Sequence, residues 1–595
     1  MQSRNRWFVL LMAPLAAALV LAAACGSGTS STDKTSTASA GGTTAGTTPA
    51  SGSTTASGSL PSDAAPAAQQ VLTTNIASEP NTLDPQAESY TYESTIVHQL
   101  FIELFDQDPK TSELTPWAAT EVPTTANGDI AADGVTYTVK LKPDLKWSDG
   151  TPITAKDFVY GIQRGYNLNI SGAGYGGFIT SIKGADAALK EDPKGADYVT
   201  KVNADLAGGV SAVDDHTLQL VSATKSASFL SNFTLPITAA VPQANVEAAG
   251  ANYGVSSTAA QMVTSGPFKV KEWVAKDHIT IVPNDQYTAG HKAFLQSVKE
   301  VFIADANQAY NSYQANQLDQ TGQVPASQYP IIQKDSNLKE QVKQEEEFGT
   351  RWISVDVTIP PWNNKDFVIA MNQATDRATI GKDVYFGLRE PWAAPCTKGV
   401  VGCDPSLFDN LNYNLDKAKA SIKKAYPDGN IPTVTLETVD DPTTKALCTT
   451  LQSEWKQIGV NVNIVTTDQK TLRADMKNHK AGTQITGWAM DYADPSDLWG
   501  VFTTAAVGGN NLGFYSRPDF DKLEAQQDAT LDPAARKPIL TQLQQFLAAD
   551  PPVIQFAIQL RTDLYKPYVK GLTSSPFDYI NYGDQQLVDV YIAKH

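Results

Sequence analysis

The chain has 595 residues, a formal net charge of −17, and is 42 % hydrophobic and 18 % charged. An acidic balance of this size argues against nucleic acid and anionic membrane surfaces as partners, because both repel it. A chain this long exceeds what one hydrophobic core supports, so two or three lobes are expected.

At the N-terminus Arg4 and Arg6 precede an apolar run over residues 7–24, closed by Ala22, Ala23, Ala24, Cys25 and Gly26. A basic start, an apolar stretch and small residues at its end describe an export signal. The run is also about long enough for a transmembrane helix. With Cys25 in this place the segment resembles a bacterial lipoprotein signal, although Ala22 stands where leucine is commoner. That resemblance implies removal of residues 1–24 and lipidation of Cys25. Residues 25–69 form a tether, almost entirely Ser, Thr, Gly, Ala and Pro over 26–68, with no aromatic side chain. Such a segment cannot offset its ordering entropy by burial, and as a flexible coil it reaches about 35–40 Å.

The body opens on a strand over 71–76 and a turn through Glu79, Pro80, Asn81 and Asp84. The spacing of Ile96, Val97, Leu100, Phe101 and Leu104 then predicts a helix. Residues 135–141 alternate as a half-buried strand, and Thr154 is a candidate N-cap for a helix beginning near Ala155. Thr217 to Val221 follows the turn at Asp214 and Asp215 as a further strand. Strands over 265–270 and 279–282 are expected to pair, and 305–320 reads as a polar amphipathic helix. Beyond that, strands and helices alternate: 352–357, 367–372, 416–425, 433–437, 448–458, 460–465 and 484–489. This alternation, with hairpins in the first half, predicts a mixed-sheet α/β architecture.

Cys396 and Cys403 flank a loop with two glycines, so an exported protein can close a short disulfide there; two free thiols are the alternative. Cys448 lies in a helical apolar pattern and reads as a buried thiol. Neither a CxxC nor a His/Cys cluster suggests zinc, so no metal or other cofactor is expected. Gly172 to Gly177 satisfies GxGxxG, but polar residues 167–171 precede it where a dinucleotide site needs a strand. None of the six histidines falls in an HExxH motif, and GxSxG and P-loop motifs are absent too, so an enzyme is not expected. The acids Asp491 and Asp494 mimic a glycosidase pair only if their separation allows it.

The block Gly487, Trp488, Ala489, Met490, Asp491, Tyr492, Ala493, Asp494, Pro495 sets an acid beside a large aromatic ring. An acid supplies a charge-assisted hydrogen bond to an ammonium group, and the ring adds cation–π attraction and excludes water. Its plainer alternative is a strand end followed by a polar turn.

Several segments, in this order, resemble the family 5 extracellular solute-binding proteins of ABC importers. They are Glu79 to Pro85, 133–160, Asp214 to Leu218, Ser265 to Phe268, Pro283 to Tyr287, Leu415 to Ala420, Ile458 to Val462 and the 487–495 block. The resemblance implies a two-lobed periplasmic-binding-protein-like α/β fold (type II, cluster C-like) with an extra small domain on the first lobe. It places lobe I at 70–116, 235–347 and 550–595, the small domain at 117–234 and lobe II at 348–549. It also implies a monomer that encloses a peptide or other small solute by lobe closure and docks on permease subunits of an importer. The protein would face the extracytoplasmic side of the cell membrane, held there by its lipid anchor alone.

In peptide-binding members the acid matching Asp491 pairs with the ligand's α-amino group, and the residue matching Trp488 accompanies it. Tyr492 and Glu79 lie in segments expected to face the cleft. Some relatives carry a basic side chain just before the Gly-Trp pair; here Ile485 and Thr486 are neutral. That departure leaves ligand length and carboxylate recognition open. A sugar, a metal chelate, or a sensor or chaperone role without a transporter are the alternatives.

Overall fold

The computed structural model describes residues 59–171, 181–573, 575–576 and 587–595. The signal segment with Cys25, most of the tether, and the glycine-rich stretch 172–177 lie outside these residues.

Val71–Ile76 forms the edge of a four-stranded sheet, parallel to Ser297–Phe302, which continues through His278–Pro283 to Phe268–Val274. Helix Thr91–Leu100 buries Ile96, Val97 and Leu100. Its first turn is held by the Glu93 carboxylate, which accepts from Asn81, Ser89 and Tyr90 N–H. The helix stops at Leu100 rather than continuing to Leu104, because tertiary partners take the backbone groups. Ser265 and Gly266 N–H donate to Leu100 O, and Ile102 N–H donates to the Ser265 hydroxyl. Similarly, the helix expected over 305–320 spans only Ala306–Gln314, and Asn316 turns the chain with φ 57°.

Thr154 caps helix Ala155–Gly165 in a reciprocal box with Asp157. Thr136–Lys140, Thr217–Val221 and Val210–Asp214 make a three-stranded antiparallel sheet beside it. The described residues of segment 117–234 pack onto the first body: Tyr137, Phe158 and Leu220 belong to one apolar cluster with Leu72, Leu100 and Phe268. A buried bidentate pair, Arg164 with Asp84 at 2.6 Å on both arms, ties this helix to the turn after the first strand.

Two long strands, Val342–Val355 and Val553–Leu564, run antiparallel from this first body into a second. Their sheet has the order Arg389–Pro391, Val553–Leu564, Val342–Val355, Thr483–Ala489. Val342 and Leu564 pack near the first body, whereas Ile353, Val355, Ile554 and Phe556 lie in the second core. The expected border at 347/348 falls within Val342–Val355, and that at 549/550 falls at the end of helix Pro533–Ala549, just before Val553–Leu564. The second core packs helices Lys365–Ala374 and Pro442–Lys456 around the parallel pair Val434–Val439 and Val462–Thr467. Trp455 is fully buried there, its indole N–H donating to the Thr375 hydroxyl at 3.1 Å. Cys396 and Cys403 form a disulfide across a loop in which Gly399 and Gly402 both have φ +81°, and Cys448 is a buried free thiol. Together these features make a mixed α/β fold of two lobes.

Burial pushes several carboxyls upward: Glu88 to about 8, Glu103 to about 7, Glu454 to about 8 and Asp563 to about 6. Each holds a proton in the folded chain at pH values where the unfolded chain has released it. The native state then binds more protons, so these groups stabilise the fold at low pH and lose that contribution as pH rises through their folded values. Thermal unfolding is therefore expected at a higher temperature near about pH 5 than near about pH 8, with Glu88→Gln narrowing the gap. A melting temperature that rises over this window would contradict the assignment.

Candidate functional site

Thr483–Ala489 is the outermost strand of its sheet, so one row of its backbone donors and acceptors faces outward. At its start this edge is covered: the Thr483 hydroxyl donates to Thr435 O at 3.1 Å and accepts from Glu437 N–H at 3.0 Å. Further along, Gly487 sits opposite Arg351 in the register. A Cβ at Gly487 would lie 2.0 Å from Thr350 O, so no larger residue permits this pairing. Met490 N–H donates to Phe348 O at 2.8 Å and carries the alignment past the strand end.

Asp497 organises the turn beyond the strand. Its Oδ2 accepts from the Trp488 indole N–H at 3.1 Å and from Asp491 N–H at 2.9 Å. The residue is only 5 % exposed, so both bonds are shielded from water. One carboxylate oxygen thus fixes the ring and the backbone of the acid together, while Asp491 itself remains half-buried. Tyr492 is buried, and burial followed by the charges of Asp497 and Asp494 drives its phenol well above the usual range. It stays a neutral hydroxyl.

Asp494 has a different task. It caps helix Pro495–Gly500 through Ser496 N–H at 2.9 Å and takes both arms of Arg536 at 2.6 and 2.7 Å. Arg536 also donates to Gln527 Oε1 at 2.8 Å. Asp494 is thus committed to a buried ion pair. Ala493 N–H reaches the first body, donating to Gln107 Oε1 at 3.2 Å.

Of the four candidate ligand residues, Trp488, Asp491 and Tyr492 are brought together by Asp497 and the turn after the strand. Glu79 lies on the other body, half-buried, accepting from the Trp273 indole N–H at 3.0 Å. Among the described residues it makes no hydrogen bond to the other three. A small cavity of about 70 Å³ adjoins Trp488, lined also by Trp352, Thr486, Phe502 and Arg473. A cavity of about 580 Å³ lies apart from the block, beside Tyr160, Arg164 and Tyr253.

Asp497, Arg536 and Gln107 escaped the reading of the sequence. Asp497 carried a weak local signal, an acid in the first turn of a short helix. Arg536 and Gln107 lie 42 and 386 residues from their partners, so no local pattern announces them.

An edge strand ending in an aromatic–acid block, between two bodies joined by two long strands, is the architecture of a ligand-enclosing binding protein. The sequence matches the bacterial extracellular solute-binding proteins, family 5 Middle, over residues 113–510, and the chain belongs to this family. It is 27 % identical over 553 residues to the periplasmic oligopeptide-binding protein OppA of Escherichia coli K12, covering 90 % of this chain and 95 % of the relative. It is also 27 % identical to the probable deoxycholate-binding periplasmic protein YgiS of the same organism, over 88 % of this chain and 94 % of the relative. Among solved structures, the unliganded open form of the murein tripeptide-binding protein MppA superposes with a TM-score of 0.73 at 24 % identity, over 90 % of this chain and 99 % of the other. Among the described residues no helix is long and apolar enough to cross a membrane.

Asp497→Ala leaves two N–H donors without their acceptor. It is expected to cost about 1–3 kcal/mol in urea unfolding and to alter the near-ultraviolet circular dichroism through Trp488. An unchanged spectrum and midpoint would remove Asp497 from the role assigned to it.

Proposed function

We propose that this protein captures short peptides between its two lobes and delivers them to an ABC importer. The observation that carries the reading is Asp491, with its backbone and the neighbouring indole fixed by one buried carboxylate, at the end of an edge strand. A peptide adds to such an edge as a further strand, its main chain bonded to the protein and its side chains left in wet pockets. Asp491 receives the ligand's α-ammonium group and Trp488 walls it from solvent. Tyr492 and Glu79 contribute to the lining, and the reaction is binding and release without catalysis.

On this reading residues 70–116, 235–347 and 550–595 move as lobe I with 117–234 attached, against lobe II at 348–549. The lobes close because ligand binds the closed form more tightly. Cys25 carries the lipid that holds the protein at the outer face of the membrane, and residues 25–69 are the leash that lets a monomer reach permease subunits.

The name of the relative YgiS, a probable deoxycholate binder, favours one competing reading, a non-peptide solute. The two separate in one titration. Asp491→Ala is expected to weaken binding of peptides with free amino termini by about 2–5 kcal/mol, the scale for removing a buried charge partner, with N-acetylated peptides already weak on the wild type. Equal calorimetric affinities for free and acetylated peptides would displace Asp491 from the anchor role.

A further inference from the structure

The cavity beside Arg164 and Tyr253 is walled by residues between Thr82 and Val255 alone, so it belongs to the first body. At about 580 Å³ it has the size of a small-molecule site, far above what one water fills. Three helices form its sides: Ala155–Gly165, Tyr198–Leu206 and Gln243–Ala249. Val202 and Val246 are buried and give it an apolar interior. Val199 is 49 % exposed and Glu247 is exposed, so the cavity opens to solvent between their helices.

Two polar groups in this wall lack partners. Tyr253 is only 4 % exposed, and among the described residues its hydroxyl makes no hydrogen bond. Arg164 spends both terminal nitrogens on Asp84 and one of them also on Gln86 Oε1, which leaves its Nε–H unpaired. The guanidinium lies over the Tyr253 ring, 5.5 Å from its centroid, so the two unpaired groups sit on stacked side chains. Both are donors, since burial drives the Tyr253 phenol well above its usual range and keeps it a hydroxyl. Buried donors in native proteins meet an acceptor, because leaving one unpaired forfeits its hydration without return. Charge narrows what that acceptor can be. Asp84 already neutralises Arg164, and Glu247 at the mouth is held by the neutral Gln243 amide at 2.7 Å. The wall is therefore net negative and disfavours an anion.

We propose that this cavity is a binding site separate from the cleft, for an uncharged, largely apolar small molecule bearing a carbonyl or hydroxyl oxygen. The oxygen accepts from the Tyr253 hydroxyl, and the apolar part packs on Val202 and Val246. Trp488 and Asp491 take no part in its wall, so the site stands whatever solute the cleft carries. Asp84 belongs to the turn after the first strand and Val202 to segment 117–234, so a bound molecule bridges the two and stabilises their packing.

The test is a ligand-observed NMR titration with benzophenone, with diphenylmethane, which shares its two rings but lacks the oxygen, and with the anion diphenylacetate. The wild type is expected to bind benzophenone about fivefold more tightly than diphenylmethane, the effect of one net hydrogen bond, and diphenylacetate most weakly. Tyr253→Phe is expected to erase the preference for the ketone while diphenylmethane still binds. Val199→Trp, at the exposed mouth, is expected to block both molecules without lowering the melting temperature of the empty protein. Irradiating bound benzophenone attaches it to nearby C–H groups, and peptide mapping is expected to find the label on the three helices. The proposal is overturned if benzophenone does not bind, if diphenylacetate binds most tightly, or if the ketone preference survives Tyr253→Phe. Unchanged binding in Val199→Trp, or a label on Thr483–Ala489 instead, overturns it equally.

Discussion

The backbone contact between Gly487 and Thr350 is the constraint on which the site depends. An atom larger than hydrogen at that position would collide with the Thr350 carbonyl, so the edge strand can lie against the crossing strand only with glycine there. Close packing at this point sets the register, and in a sheet a shift of one residue sends every side chain to the other face. Trp488 is therefore directed by a residue that has no side chain.

Three acids within seven residues, Asp491, Asp494 and Asp497, are sorted by what surrounds them. Asp494 meets Arg536 in a bidentate, buried geometry. Pairs of that kind gain little net stability over apolar packing but resist being broken singly. Asp497 gives its oxygen to the indole and to a backbone N–H, which makes it a rigid support. Asp491 is the half-buried one of the three. Burial and partners, rather than residue type, separate the proposed anchor from its supports, and pre-organised supports lower the entropy lost when a ligand is ordered.

Local chemistry was legible where it decides local structure. The Thr154 cap and the alternation over 135–141 could be read directly, because caps and period-two patterns act over a few residues. The same patterns failed at Leu100, where Ser265 and Gly266 capture the carbonyl that would have continued the helix. Val553–Leu564 was not read as a strand, although Gln555, Gln559, Arg561 and Asp563 alternate with Ile554, Ile558, Leu560 and Leu564 in a period of two. In the site, Trp488 and Asp491 stood out as an unusual neighbour pair. Arg536 did not, since its meaning comes from helices brought together only by the fold.

The contacts between the two bodies bear on how closure works. Beyond the crossing strands, the first body touches the second through Gln107 with Ala493, and through Asp528, whose carboxylate accepts from Ser226 and Ser228 hydroxyls at 3.1 and 3.0 Å. Ala227 N–H adds a bond to Asp528 O at 2.7 Å. These are short polar contacts at the seam, each worth about 0.5–1.5 kcal/mol net of water. Such a seam aligns the bodies without locking them, because water can take over each bond when they part. The large favourable term for the closed form must then come from what lies between the bodies. On the proposed reading, a ligand bonded to the edge strand supplies that difference in affinity, which is the quantity that moves a two-state equilibrium.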